Sequence, residues 1–216
     1  MKSFNVTGTC FPSLHYMVDI TKQVNDAIDL VSRNLYFCIN RGRQYGKTTT
    51  LEAVKNKLEE QGYTVFFISF EGLDDENLQS PSTLYATFVQ LLAYSIQLGK
   101  VKNIEKEIVD IILNYAEKDT IPTIQFLLFI SQINKGNKTV LIIDEVDRAS
   151  NHDSFIRFLG VIRSLFLDRM SVPTFYSVIL AGVYDITNLK LKIRSNEEHS
   201  YNSPWNIASD YSSDMS

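Results

Sequence analysis

Apolar positions follow two alternating rhythms. Short, almost unbroken apolar runs occupy residues 36–40, 63–70, 139–143 and 174–180, and between them apolar residues return every three or four positions. Runs of the first kind, such as Tyr-Thr-Val-Phe-Phe-Ile-Ser-Phe at 63–70, suit strands covered on both faces. The second rhythm predicts helices. Residues 48–61 align Leu51, Val54 and Leu58, with Gly62 as a stop. Residues 83–134 carry three successive stripes: Leu84, Phe88, Leu91 and Leu92, then Ile104, Ile108, Ile111, Ile112 and Tyr115, then Ile124, Leu127, Leu128 and Ile130. Residues 151–169 align Phe155, Phe158, Leu159, Ile162 and Phe166. Upstream, Asp19 or Thr21 caps a helix running to about Asn34, and Phe4, Val6, Tyr16 and Val18 alternate as in short extended segments. Apolar strands alternating with helices predict an α/β fold, a mostly parallel sheet sandwiched between helices. The chain divides into three regions: residues 1–34, extended segments and a helix; residues 35–194, the core; and residues 195–216, a polar, serine-rich tail with neither period.

Composition narrows the function classes. Of 216 residues, 21 are Lys or Arg and 25 Asp or Glu, a net charge of −4 with the three His neutral. So small a net charge offers no global attraction to nucleic acid or anionic lipid. The apolar runs are too short to span a bilayer, and no basic stretch leads into an apolar one at the N-terminus. Two cysteines, Cys10 and Cys38, make neither a disulfide framework nor a zinc site. A cytoplasmic globular protein is expected.

The chemistry concentrates at two strand ends. After the first strand comes Arg41-Gly42-Arg43-Gln44-Tyr45-Gly46-Lys47-Thr48, with Thr49 next. Against G-x-x-x-x-G-K-[ST] the last three positions match, while Arg41 stands at the first glycine position and Gly42 one place later. In such a Walker A loop the backbone N–H groups and the helix N-terminus cradle phosphates, and the second glycine, Gly46, lets the main chain approach. Lys47, expected to project from the loop, reaches the β- and γ-phosphates, and the Thr48 hydroxyl joins the Mg²⁺ shell. The third strand reads Val140-Leu141-Ile142-Ile143 and ends in Asp144-Glu145, a Walker B pattern. It puts Asp144 beside the loop as a Mg²⁺ ligand, with Thr48, and Glu145 where a carboxylate polarises an attacking water. ATP and Mg²⁺ are the implied ligands. Asn134-Lys135-Gly136-Asn137 lacks the aspartate of a guanine-reading loop and precedes the third strand, which excludes GTP.

Several stretches resemble the prokaryotic AAA-ATPase-like family: Asn5 to Cys10, His15 to Ile20, Asn40 to Leu51, Asp144 to Asp147, Leu180 to Ile186 and Ser203 to Ala208. The resemblance covers nearly the whole chain. It implies a P-loop core with an additional strand between the phosphate-loop strand and the Walker B strand, and makes Arg41 and Arg43 family variants of the loop. It maps the catalytic glutamate onto Glu145 and places His15 and Tyr16 on the adenine side, where Tyr16 would stack on the base; the plainer reading is a surface loop with Tyr16 packed in the core. Such proteins often carry a C-terminal nuclease-like domain of the PD-(D/E)XK type, for which no strand is visible here. A helical lid normally comes after the Ser-Pro-Trp-Asn-Ile-Ala segment, so residues 195–216 are expected to be loosely held and to begin a truncated lid region.

Lesser candidates have plainer readings beside the functional ones. Asp185 is a sensor residue or a cap for the segment from Ile186 onward. Arg148, Arg163 and Arg169 are each an arginine finger, implying self-association, or solvated helix residues. Lys190, Lys192 and Arg194 are a solvated run rather than a nucleic-acid patch. Two functions compete: a Mg²⁺-dependent ATPase module, and a nucleotide-binding regulatory or interaction domain with little hydrolysis. A scaffold without nucleotide is the third possibility.

Overall fold

A computed structural model describes residues 19–40 and 46–182. Four strands, β1 (Phe37–Asn40), β2 (Thr64–Ser69), β3 (Thr139–Asp144) and β4 (Ser177–Gly182), form one sheet in the order β1-β4-β3-β2. Every pairing is parallel. The strand between β1 and β3 in space is β4, the last in sequence among the described residues, and the resemblance implies a strand at this place.

Alternate strand residues feed two cores, because side chains leave a strand on opposite faces. Phe37, Ile39, Val65, Val140, Ile142, Ile179 and Ala181 pack against Val24, Ala27 and Val31 of α1 (Thr21–Ser32) and Leu51, Val54 and Leu58 of α2 (Lys47–Glu60). Cys38, Phe66, Ile68, Leu141, Ile143, Val178 and Leu180 face the larger core. That core is built from α3 (Pro81–Gln97), α4 (Lys106–Ala116), α5 (Thr123–Ile133) and α6 (Asp153–Leu167). Aromatic rings fill much of it: Tyr85 stacks on Phe126 at 4.2 Å, and Phe88 and Phe126 both lie within ring contact of Phe158. The protein is therefore α/β, with a four-stranded parallel sheet between two helical layers.

Local signals explain most boundaries. Ser80 accepts the Thr83 N–H at 3.2 Å, and Pro81 opens α3. Gly62 ends α2 as expected, its N–H donating to Glu59 O while Tyr63 N–H reaches back to Leu58 O. Of the two capping candidates for α1, Asp19 acts: its Oδ1 accepts the Thr21 N–H at 2.9 Å, one residue ahead of the cap position Ile20.

Three expectations need correction. The fourth strand begins at Ser177, not Thr174, because Tyr176 N–H is drawn to Thr139 O and Tyr36 Oη to Phe175 O before the ladder starts. Ile104 precedes α4 and packs on the core from the loop. In α5 the stripe is half right: Ile130 is buried and Leu127 packs on the core, but Ile124 and Leu128 are 68% and 55% exposed, and Phe126, Phe129 and Ile133 make up the rest of the inward face. With apolar residues almost all round, period alone cannot choose the inward face. Among the described residues no helix is long and apolar enough to cross a membrane.

Candidate functional site

All four strands are parallel, so the C-terminal ends of β1 and β3 lie at one edge of the sheet, separated by β4. The chain leaves β1 at Asn40 and re-enters a helix at Lys47, and Gly46 between them adopts φ +70°, ψ +22°. Among the described residues a Cβ at Gly46 would meet no atom within 4 Å, and glycine is used here for its left-handed backbone. Its carbonyl starts α2, accepting the Thr50 N–H at 2.9 Å and the Thr50 hydroxyl at 3.0 Å. Thr50 is a local brace that the motif does not anticipate.

The helix start delivers two side chains to the end of β3. Lys47 Nζ donates to Glu145 Oε1 at 2.9 Å and lies 3.2 Å from Asp144 Oδ1. The Thr48 hydroxyl donates to Asp144 Oδ2 at 2.9 Å, and the Glu145 N–H donates to Asp144 Oδ1 at 2.8 Å. Both Asp144 oxygens are thus engaged. Asp144 is itself held from behind, for its carbonyl accepts the Phe70 N–H at 3.0 Å. The Lys47 and Asp144 side chains are 8% and 4% exposed and Glu145 is 31% exposed.

Lys47 therefore does not project; it is packed in a buried ion cluster. Burial is the largest influence on its ammonium and acts to lower its pKa. The hydrogen bonds and charges of Glu145 and Asp144 together outweigh it, holding the group above the usual lysine range. Glu145 is strained: it adopts φ +54°, ψ +39°, a left-handed conformation uncommon outside glycine, asparagine and aspartate.

A short 3₁₀ turn, Val146–Arg148, carries the chain away from the cluster. Asp147 of that turn lies against the end of β4, where a Cβ on Gly182 would come within 2.8 Å of its Oδ2. Gly182 pairs in register with Asn40, so the Asp147 carboxylate reaches the level at which β1 gives way to the loop. Nothing in the motif spacing shows this contact, which joins two segments through strand order alone.

The structure brings together Lys47, Thr48, Asp144 and Glu145. Thr49 comes next on α2, half-buried. Arg41, Gly42, Arg43, Gln44 and Tyr45 lie outside the described residues, as do His15, Tyr16, Asp185, Lys190, Lys192, Arg194 and the tail. Arg148 is bound within the chain, Nε to Leu73 O at 2.6 Å and Nη2 to Asp75 Oδ1 at 3.3 Å. Arg169 lies 3.9 Å over the Phe166 ring and donates to Phe166 O. Arg163 is a half-buried residue of α6. Among the described residues no group of three or more His, Cys, Asp and Glu forms a metal cluster. Thr48 with Asp144 is an oxygen pair that could hold a hard cation: the hydroxyl donates its hydrogen bond to the carboxylate and keeps its lone pairs.

The fold and this site define a parallel α/β protein with basic, hydroxyl and acidic side chains converging at the C-terminal edge of its sheet. Residues 21–172 match the family described as nephrocystin 3, N-terminal, which is more than half of the chain, and the chain belongs to that family. No curated protein matches it.

Proposed function

We propose that the protein is an ATP-binding, Mg²⁺-dependent P-loop ATPase module with an AAA-like core, close in kind to the prokaryotic AAA-ATPase-like proteins its sequence resembles. The observation that carries this reading is the contact of Lys47 and Thr48, at the start of α2, with Asp144 and Glu145, at the end of β3. In open α/β sheets ligands bind beyond the carboxyl ends of the strands. Lys47 would take the β- and γ-phosphates, and the helix N-terminus behind Gly46 adds N–H groups for the same anions. Thr48 and Asp144 would hold Mg²⁺, which when bound neutralises charge on the phosphate oxygens. Glu145 would orient and polarise the attacking water. Arg41 to Tyr45 complete the loop in this reading, and Tyr16 stacks on the base. A cytoplasmic setting and self-association belong to the same proposal.

The second reading, a nucleotide-binding regulatory domain with little hydrolysis, is favoured by one fact: the Glu145 carboxylate is spent on Lys47. Calorimetric titration with ATP and Mg²⁺, beside a phosphate-release assay, separates the two. The ATPase reading expects binding with turnover, the regulatory reading binding alone. Absence of binding would sink both.

A further inference from the structure

The site's own carboxylates compete with a phosphate for its lysine. An ammonium has three N–H donors, and in Lys47 two of them face carboxylate oxygens, Glu145 Oε1 at 2.9 Å and Asp144 Oδ1 at 3.2 Å. The geometry is mutually enforced. Asp144 is fixed by the Thr48 hydroxyl on Oδ2 and by the Glu145 N–H on Oδ1. Glu145 stands in a left-handed conformation, φ +54°, of the kind that persists only where surrounding contacts over-determine it. Its bonds to Lys47 and to Asp144 are among those contacts, with the Arg148 N–H donating to its carbonyl at 3.2 Å. One cation among two carboxylates leaves the trio at −1, a poor partner for a polyanion.

Resting on the ATPase reading above, we propose that Lys47, Asp144 and Glu145 form a latch that admits nucleotide with its metal and resists nucleotide alone. Lys47 exchanges Glu145 and Asp144 for phosphate oxygens only when Asp144 and Thr48 have a cation to hold. Release of Lys47 also frees Glu145 to leave its strained conformation and turn towards water. The same residue thus blocks the lysine in one arrangement and serves the chemistry in the other, so binding and activation are one event. Glu145 is the half of the latch that can be cut without touching the metal-holding pair. Glu145→Gln keeps the shape and removes the charge that holds the ammonium.

The test measures ATP affinity by calorimetry, with excess Mg²⁺ and with excess EDTA, for wild type and Glu145→Gln. Salt at about 0.5 M screens the longer-range repulsion. In wild type, removal of Mg²⁺ is expected to weaken ATP about tenfold or more. In Glu145→Gln, affinity with Mg²⁺ stays within a few-fold, affinity without it rises, and the ratio between the two conditions shrinks at least about threefold. An equal ratio in the two proteins overturns the latch and leaves the ATPase reading standing. Failure of wild type to bind ATP under either condition overturns that reading and the latch with it. Circular dichroism of Glu145→Gln establishes that both proteins are folded.

Discussion

Lys47 holds the end of β3 together and, in the proposed function, also takes phosphate, so its removal is expected to act twice. Lys47→Ala leaves Asp144, 3% exposed, without its cation. Breaking a buried pair from one side costs about 3–5 kcal/mol. The expectation that Lys47 merely projects from the loop therefore gives way to a double role. Thermal denaturation will show a lowered midpoint, and calorimetry at a temperature where the variant is folded will show ATP binding lost. Unchanged affinity in the folded variant would remove Lys47 from phosphate binding. Glu145→Gln separates differently: with Mg²⁺, affinity within a few-fold and any turnover lower by roughly 10²–10⁴ in a phosphate-release assay, the usual range for a lost acid–base group. At Gly182 the effect is steric. Gly182→Ala puts a methyl group 2.8 Å from Asp147 Oδ2, and overpacking of this kind costs about 1–3 kcal/mol. In a denaturant-unfolding cycle the cost should fall when Asp147→Ala is present, since the two changes share one contact. Additivity would show that the contact is not the cause.

At the scale of elements, α5 offers the sharpest comparison between what the sequence shows and what packing decides. The helix itself is legible, but Thr-Ile-Gln-Phe-Leu-Leu-Phe-Ile-Ser-Gln-Ile carries apolar residues on nearly every side. Its inward face is chosen by the rings of Tyr85, Phe88 and Phe158, which come from other helices and are invisible to a local pattern. Phe129→Ala should cost about 3–5 kcal/mol in urea unfolding, and Leu128→Gln no more than about 0.5 kcal/mol. Reversed magnitudes would restore the phase read from sequence. By contrast α2 was readable to the face, because Leu51, Val54 and Leu58 stand among mostly polar neighbours, and in α6 the stripe Phe155, Phe158, Leu159, Ile162 and Phe166 also falls on the buried side, although Ile156 and Leu167 beside it are apolar too. The meeting of Lys47, Thr48, Asp144 and Glu145 was readable to the residue, because the motifs put them at the ends of two strands of one parallel sheet. It was not readable for the Glu145–Lys47 bond, the Thr50 brace or the Gly182–Asp147 contact, which depend on backbone conformation and on which strand lies between which. Ser80→Ala, removing the cap of α3, should cost about 1 kcal/mol by thermal unfolding.

For the whole molecule the buried titratable groups point one way with pH. Burial raises the Tyr36 hydroxyl well above the ordinary tyrosine range, the hydrogen bond of Thr174 opposing it, and the carboxylates hold Lys47 above the ordinary lysine range. Each group keeps its proton in the folded chain at a pH where the unfolded chain gives it up. Their contributions are complete below the unfolded pKa values, near ~10, and are lost as pH rises through the folded ones. Denaturant midpoints should therefore fall on going from pH ~9 to pH ~11, and Tyr36→Phe should make the fall shallower. A flat profile would mean that these groups ionise alike in both states.

The strand order has a consequence in time. Among the described residues β1 pairs with β4 alone, and the links at its start span the chain: Tyr36 Oη to Phe175 O, 139 residues apart, and Ser177 Oγ to Leu35 O, 142 apart. β2 and β3 meet each other directly, whereas β1 must wait for the last strand. A ribosome delivers the chain from its N-terminus, so the strand that launches the Gly46–Lys47 turn is made first and seated late. Until the final strand emerges, Phe37 and Ile39 have no sheet to complete. The cluster of Lys47, Thr48, Asp144 and Glu145 thus rests on a framework that is complete only once translation has passed Gly182, and a nascent chain stalled earlier would carry the motif without that framework.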